Sequence, residues 1–101
     1  MEPDELKTRS IEEAELRDAD GLVFGQLLHE ERVWTYEGTF RGHAVNIEFV
    51  NSEEHPSYRF NVRVYDAETN ELVATGNGDR DWEGALSIVH WHDLASRWPN
   101  V

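Results

Sequence analysis

From Val33 onward apolar residues recur at every second position over residues 33–40, 44–50 and 58–65, whereas residues 10–20 and 82–98 space them as a helix does. Strands are therefore expected in the middle of the chain and helices at its flanks. The alternation is clearest over residues 33–40 and 44–50, with Arg41-Gly42 as a tight turn between them. Val45, Ile47 and Phe49 then share one face, and Asn46 and Glu48 the other. Residues 51–57 contain Pro56, which excludes a central strand, and read as a loop. Residues 58–65 alternate again and put Tyr58, Phe60, Val62 and Val64 on one face. Asp66 to Asn70 supplies turn formers, and residues 71–75 predict a short fourth strand.

At the amino-terminal flank, Ser10-Ile11-Glu12-Glu13 fits a capping box, so a helix is expected from residue 10 to a stop at Asp20-Gly21, with residues 1–9 a frayed lead-in. Residues 22–28 carry apolar positions at both spacings and read as a short second helix or turn. At the other flank Gly76-Asn77-Gly78 breaks the strand pattern, and Asp79 or Asp81 caps a final helix with Glu83 in its first turn. On a helical wheel Trp82, Ala85, Leu86 and Val89 form one stripe, and Ile88, Trp91, Leu94, Ala95 and Trp98 a second one. The expected architecture is α+β. One domain over residues 10–101 holds a small antiparallel sheet of three to four strands, with an amino-terminal helical segment and a carboxy-terminal helix packed on one face. The same element order occurs in double-stranded-RNA-binding domains, but their basic loop and lysine-rich helix start are absent, and no family is assigned on order alone.

Composition changes the picture mainly through charge. Among 101 residues, 21 acids stand against nine bases, Lys7 is the single lysine, and the net charge is -12. Affinity for phosphate backbones comes from clustered Lys and Arg, so direct binding to nucleic acid or to anionic lipid is disfavoured. An acidic surface attracts a basic one instead, including a groove built to hold nucleic acid. The absence of cysteine excludes disulfides, thiolate zinc sites and a cysteine nucleophile. The start MEPDELKTRS has neither the basic end nor the apolar stretch of a secretory signal, and a cytoplasmic location is expected.

Candidate chemistry is sparse. Asn77, Asp79 and Asp81 have the one-three-five spacing of a calcium loop, but Trp82 stands where that loop needs glycine and Ile88 where it needs glutamate. His90 and His92 on one continuous helix would point about 200° apart and could not share a metal. Gly76-Asn77-Gly78-Asp79 lacks the lysine and second glycine of a phosphate loop. No nucleophile elbow or catalytic dyad is present, so neither catalysis nor a cofactor or metal is expected. The expected function is that of a non-catalytic binding protein occupying a basic surface of a protein partner. In its most specific form it would be a nucleic-acid mimic like the small acidic inhibitors with which phages block CRISPR or restriction complexes. Candidate contact residues are Glu12, Glu13, Glu15, Asp18, Asp20, Glu30, Glu31, Glu53, Glu54, Glu68 and Glu71, with Trp91 and Trp98 as aromatic anchors for a partner or a second copy; the alternative for these two is that the second stripe packs under the amino-terminal helices as core. The alternative is a structural or oligomerising accessory domain, a homodimer included, whose acidity serves only solubility, as in a salt-loving organism.

Overall fold

A computed structural model describes residues 1–100. The elements in chain order are α1 (Pro3–Leu16), β1 (Leu22–Glu30), β2 (Val33–Phe40), β3 (His43–Asn51), a single 3-10 turn (Pro56–Tyr58), β4 (Phe60–Asp66), β5 (Leu72–Thr75), α2 (Trp82–Ile88) and α3 (His92–Arg97). The five strands form one antiparallel meander in the order β1-β2-β3-β4-β5, and the helices pack on one face of it. The fold is α+β as expected, with five strands rather than three to four.

The β2–β3 hairpin follows its sequence closely. Arg41 and Gly42 both take positive φ, 50° and 83°, which matches the right-handed twist of the strands in a two-residue turn. The register Phe40↔His43, Gly38↔Val45, Tyr36↔Ile47 and Trp34↔Phe49 puts these residues on the face that the helices cover. Ile47 and Phe49 are fully buried there, with Val62 and Val64 beside them from β4. Tyr58, expected on the same face, lies instead in the 3-10 turn and is 61% exposed. Pro56 fixes the backbone for that turn and delays the strand to Phe60.

The amino-terminal helix differs from expectation at both ends. It starts at Pro3, whose restricted φ suits the first helical position, with Asp4 and Glu5 favoured in the first turn by the helix dipole. Residues 3–9 are therefore helix and not a frayed lead-in, and Leu6 is fully buried in the core. Ser10 lies mid-helix and its hydroxyl donates to the Leu6 carbonyl at 2.7 Å, so the capping box is not used. The helix ends before Asp20-Gly21. Asp18 adopts φ 59°, Asp18 N–H donates to the Glu15 carbonyl at 3.1 Å, and Ala19 N–H donates to the Ala14 carbonyl at 2.9 Å. These are the paired bonds of a Schellman ending, built on an aspartate where glycine is usual.

Residues 22–28, expected to be helix or turn, belong to β1. The strand pairs with β2 from Leu22↔Phe40 to Glu30↔Trp34, with register shifts between Phe24 and Leu27 and between Leu27 and His29. Those shifts break the period of two, which explains why the sequence matched both spacings. Close approach of the two strands depends on Gly38, where an added Cβ would lie 2.5 Å from the Val23 carbonyl oxygen.

The single carboxy-terminal helix is in fact two. Asp81 caps α2, its carboxylate accepting from Gly84 N–H at 2.7 Å. After Ile88 the backbone of Val89 turns extended (φ -64°, ψ 138°), and His90 N–H donates to the Thr75 carbonyl of β5 at 3.0 Å. An unbroken helix would have sent that amide to Leu86. The indole N–H of Trp91 takes its place, donating to the Leu86 carbonyl at 2.9 Å in the buried interior. The kink lets both apolar stripes reach one core, with Trp82, Leu86, Val89, Trp91 and Leu94 all buried.

Candidate functional site

The meander sorts the candidate carboxylates into three groups. The β1–β2 turn and the β3–β4 loop lie at one end of the sheet, as the bond from Asn51 N–H to the Arg32 carbonyl (2.9 Å) shows, and they carry Glu30, Glu31, Glu53 and Glu54. The opposite end carries Asp18 and Asp20 after α1, and Glu68 and Glu71 in the β4–β5 turn. Glu12, Glu13 and Glu15 lie along α1. Five of the eleven meet cations of their own chain. Arg9 approaches Glu12 (3.5 Å) and Glu13 (3.8 Å), Arg41 approaches Asp20 (2.9 Å), Arg59 approaches Glu53 (3.9 Å), and Arg97 approaches Glu71 (3.2 Å). Glu15, Asp18, Glu30, Glu31, Glu54 and Glu68 are exposed and have no ion pair among the described residues. The acids thus form no single cluster; they edge an elongated body of 41 × 25 × 23 Å.

Two arginines hold the less regular end together. Arg41 donates to the carbonyls of Asp18 (3.2 Å), Asp20 (3.0 Å) and Trp98 (3.0 Å), tying the α1–β1 link, the hairpin turn and the carboxy-terminal segment to one guanidinium. Arg97 donates two bonds to one oxygen of Asp66, at 2.8 and 3.2 Å, while Asp66 also accepts from the amides of Glu68 and Thr69. The Arg97 hydrogen bonds hold the Asp66 carboxyl below the usual carboxylate range against the opposing effect of desolvation, with the two amides adding to them. The same pairing, with Glu71 as a second acceptor, raises Arg97. This is a structural clasp. Its acid is buried and already fully engaged.

The aromatic anchors divide. Trp91 has no exposed surface and its indole nitrogen is bonded inside the core, so it is a core residue and not an anchor for a partner or a second copy. Trp98 is half-buried, its ring stacked on His43 at 5.1 Å between centroids and tilted against Phe40 at 6.2 Å. Trp82 is buried as its stripe implied, packed between Phe60 (4.5 Å), Phe49 (6.1 Å) and Trp34 (6.2 Å). Trp34 and Phe24 belong to this aromatic layer; the signal for Trp34 is its even-numbered position within the alternating stretch 33–40, whereas the mixed spacing of residues 22–28 hides Phe24.

The kink also changes the histidine geometry. With the helix broken at Val89, the rings of His90 and His92 lie 6.2 Å apart instead of on opposite sides, and His92 Nε2 meets the Asp93 carboxylate at 3.2 Å. Among the described residues no group of three or more His, Asp or Glu side chains is placed to hold a metal ion. Nor is any helix among them long and apolar enough to cross a membrane. The concave features are open depressions on the surface, and two flank the free edge of the sheet. One, lined by Gly25, Glu37, Thr39 and Ala44 among others, lies on the face away from the helices; the second, lined by Asp4, Lys7, Ile11 and Leu22 among others, lies between β1 and α1.

Comparison with protein-family models, curated proteins and solved structures finds no match to this chain.

Proposed function

We propose that the protein is a non-catalytic acidic binding module that occupies a basic surface of a cytoplasmic protein partner and stands in for nucleic acid there. The observation carrying this reading is the set of exposed carboxylates with no ion pair among the described residues, at both ends of the sheet and on α1: Glu15, Asp18, Glu30, Glu31, Glu54 and Glu68. Glu12 and Glu53 add to the same field, because their pairs with Arg9 and Arg59 are exposed on both sides, and such pairs contribute only about 0–1 kcal/mol and exchange readily for a better partner.

The charge density supports the more specific form. One strand of nucleic acid carries a negative charge about every 3.4 Å, or roughly 12 over 41 Å, whereas a duplex carries about twice that. The chain has a net charge of -12 along a 41 Å axis. It therefore resembles a single strand in charge per length, and its expected target is a groove that holds one strand. Long-range attraction to such a groove speeds association and weakens as salt screens it.

The test is competition. A partner captured on the immobilised protein at about 0.05 M salt should elute as salt rises through about 0.5 M, and a single-stranded oligonucleotide should displace it. The combined variant Glu30→Gln, Glu31→Gln, Glu54→Gln should bind at least tenfold more weakly at low salt. A partner that survives high salt and ignores the oligonucleotide would refute the mimic.

A further inference from the structure

We infer that the outer edge of β1 at Leu22–Phe24 receives an extended cationic segment of the partner protein as a sixth strand. This rests on the acidic-module reading and adds the place and mode of docking. Edge strands are ordinarily guarded by lysine, proline or inward charge. Residues 21–29 contain none of these, although 30% of the whole chain is charged, and they expose Val23 (57%), Leu27 (37%) and Leu28 (53%). The opposite edge, β5, is only four residues long, and the carbonyl of its last residue is taken by His90.

The backbone phase at β1 is fixed by the bond from Arg41 N–H to the Gly21 carbonyl (3.4 Å). Antiparallel pairs alternate, so Gly21 and Val23 face β2, and the N–H and C=O groups of Leu22 and Phe24 point outward. The register shifts beyond Phe24 confine regular pairing to this short run. On each side of it lies one of the depressions described above, of about 340 Å³ on the open face and about 420 Å³ beside α1, and each has room for a long side chain. Each is also bordered by a carboxylate. Glu37, which has no ion pair among the described residues, stands on the open-face side, and Asp4 on the α1 side, where Lys7 lies 3.3 Å from it and shares the lining. An added strand sends alternate side chains to the two faces, so its cations meet Glu37 on the open face, while the side chains turned toward α1 meet the Asp4–Lys7 pair. Glu30 and Glu31 stand at one end of the edge and Asp18 at the other, beside Asp20, which Arg41 already pairs. A second copy at net charge -12 is repelled from this frame, whereas an arginine-bearing strand is attracted.

The probe is the capped peptide (Arg-Val)4, with (Arg-Ser)4 as a control of equal charge and low strand propensity. Binding is followed at low salt by titration and by amide hydrogen exchange of the full chain. (Arg-Val)4 should slow exchange at Leu22 and Phe24 at least tenfold and bind at least tenfold more tightly than (Arg-Ser)4. Val23→Lys, at an exposed position, should weaken (Arg-Val)4 about fivefold. Equal binding of both peptides with unchanged exchange at Leu22 and Phe24 overturns the strand site and leaves the acidic-module reading standing. Failure of both peptides to bind overturns the two together. Protection of Leu22 and Phe24 that rises with protein concentration alone, without peptide, identifies a second copy as the occupant and also overturns the inference.

Discussion

Replacing Trp91 by phenylalanine isolates the bond that permits the kink between α2 and α3. The indole N–H donates to the Leu86 carbonyl at 2.9 Å, and Trp91 has no solvent-exposed surface. His90, the residue that would otherwise satisfy Leu86, is committed to Thr75. The Phe variant therefore leaves a buried carbonyl unpaired, at about 1–3 kcal/mol. The missing part of the indole leaves a gap of at least methyl size, costing about 1 kcal/mol more. The sum, roughly 2–4 kcal/mol, is a large part of the 5–15 kcal/mol typical of a whole domain. The alanine variant would risk losing the fold altogether, so phenylalanine is the better probe. Urea unfolding followed by circular dichroism should show the midpoint falling by roughly 1–2 M with an unchanged slope, for a slope near 2 kcal/mol/M. A midpoint shift below about 0.3 M would refute the argument, and so would a variant that keeps its stability but changes its oligomeric state, since either result would place Trp91 outside the core.

Three further outcomes follow from the same structure. The Asp66 carboxyl titrates below its ordinary value of 3.8, so its contribution to stability is fully present above that pH and is lost as pH falls below it; Asp66→Asn should remove this part of the acid-unfolding profile, and an unchanged profile would count against the clasp. Asp81→Ala should cost about 1 kcal/mol through loss of the α2 cap, and Asp81→Asn should recover most of it in the same melting experiment. Gly38→Ala drives a methyl group into the Val23 carbonyl and should cost about 1–3 kcal/mol, seen as a melting temperature lower by several degrees; an unchanged melting temperature would show that β1 is not held at this distance.

The sequence was most informative where local chemistry and tertiary packing agree. The β2–β3 hairpin has alternation on both arms and a turn pair suited to positive φ, and its register follows. It misled where a local signal was overridden. Ser10 and Glu13 satisfy a capping pattern, yet Leu6 needs the core, and the helix extends back to Pro3 to bury it. In β1 the register shifts erase the alternation that identifies strands. The kink at Val89 was invisible because its cause, the Thr75 carbonyl, lies on a strand 14 residues earlier. The candidate acids were legible one by one as exposed carboxylates. Which of them are neutralised was not, because Arg41 and Arg97 find their partners only through the meander.

The unequal edges of the sheet also limit the stoichiometry of any assembly built through them. β1 presents an open margin, whereas β5 is short and its terminal carbonyl is occupied. Endless stacking of strands requires a free margin on both sides of every unit. With β5 offering only four residues and one carbonyl already engaged, growth on that side is restricted, so strand addition at β1 favours a finite complex over a fibre.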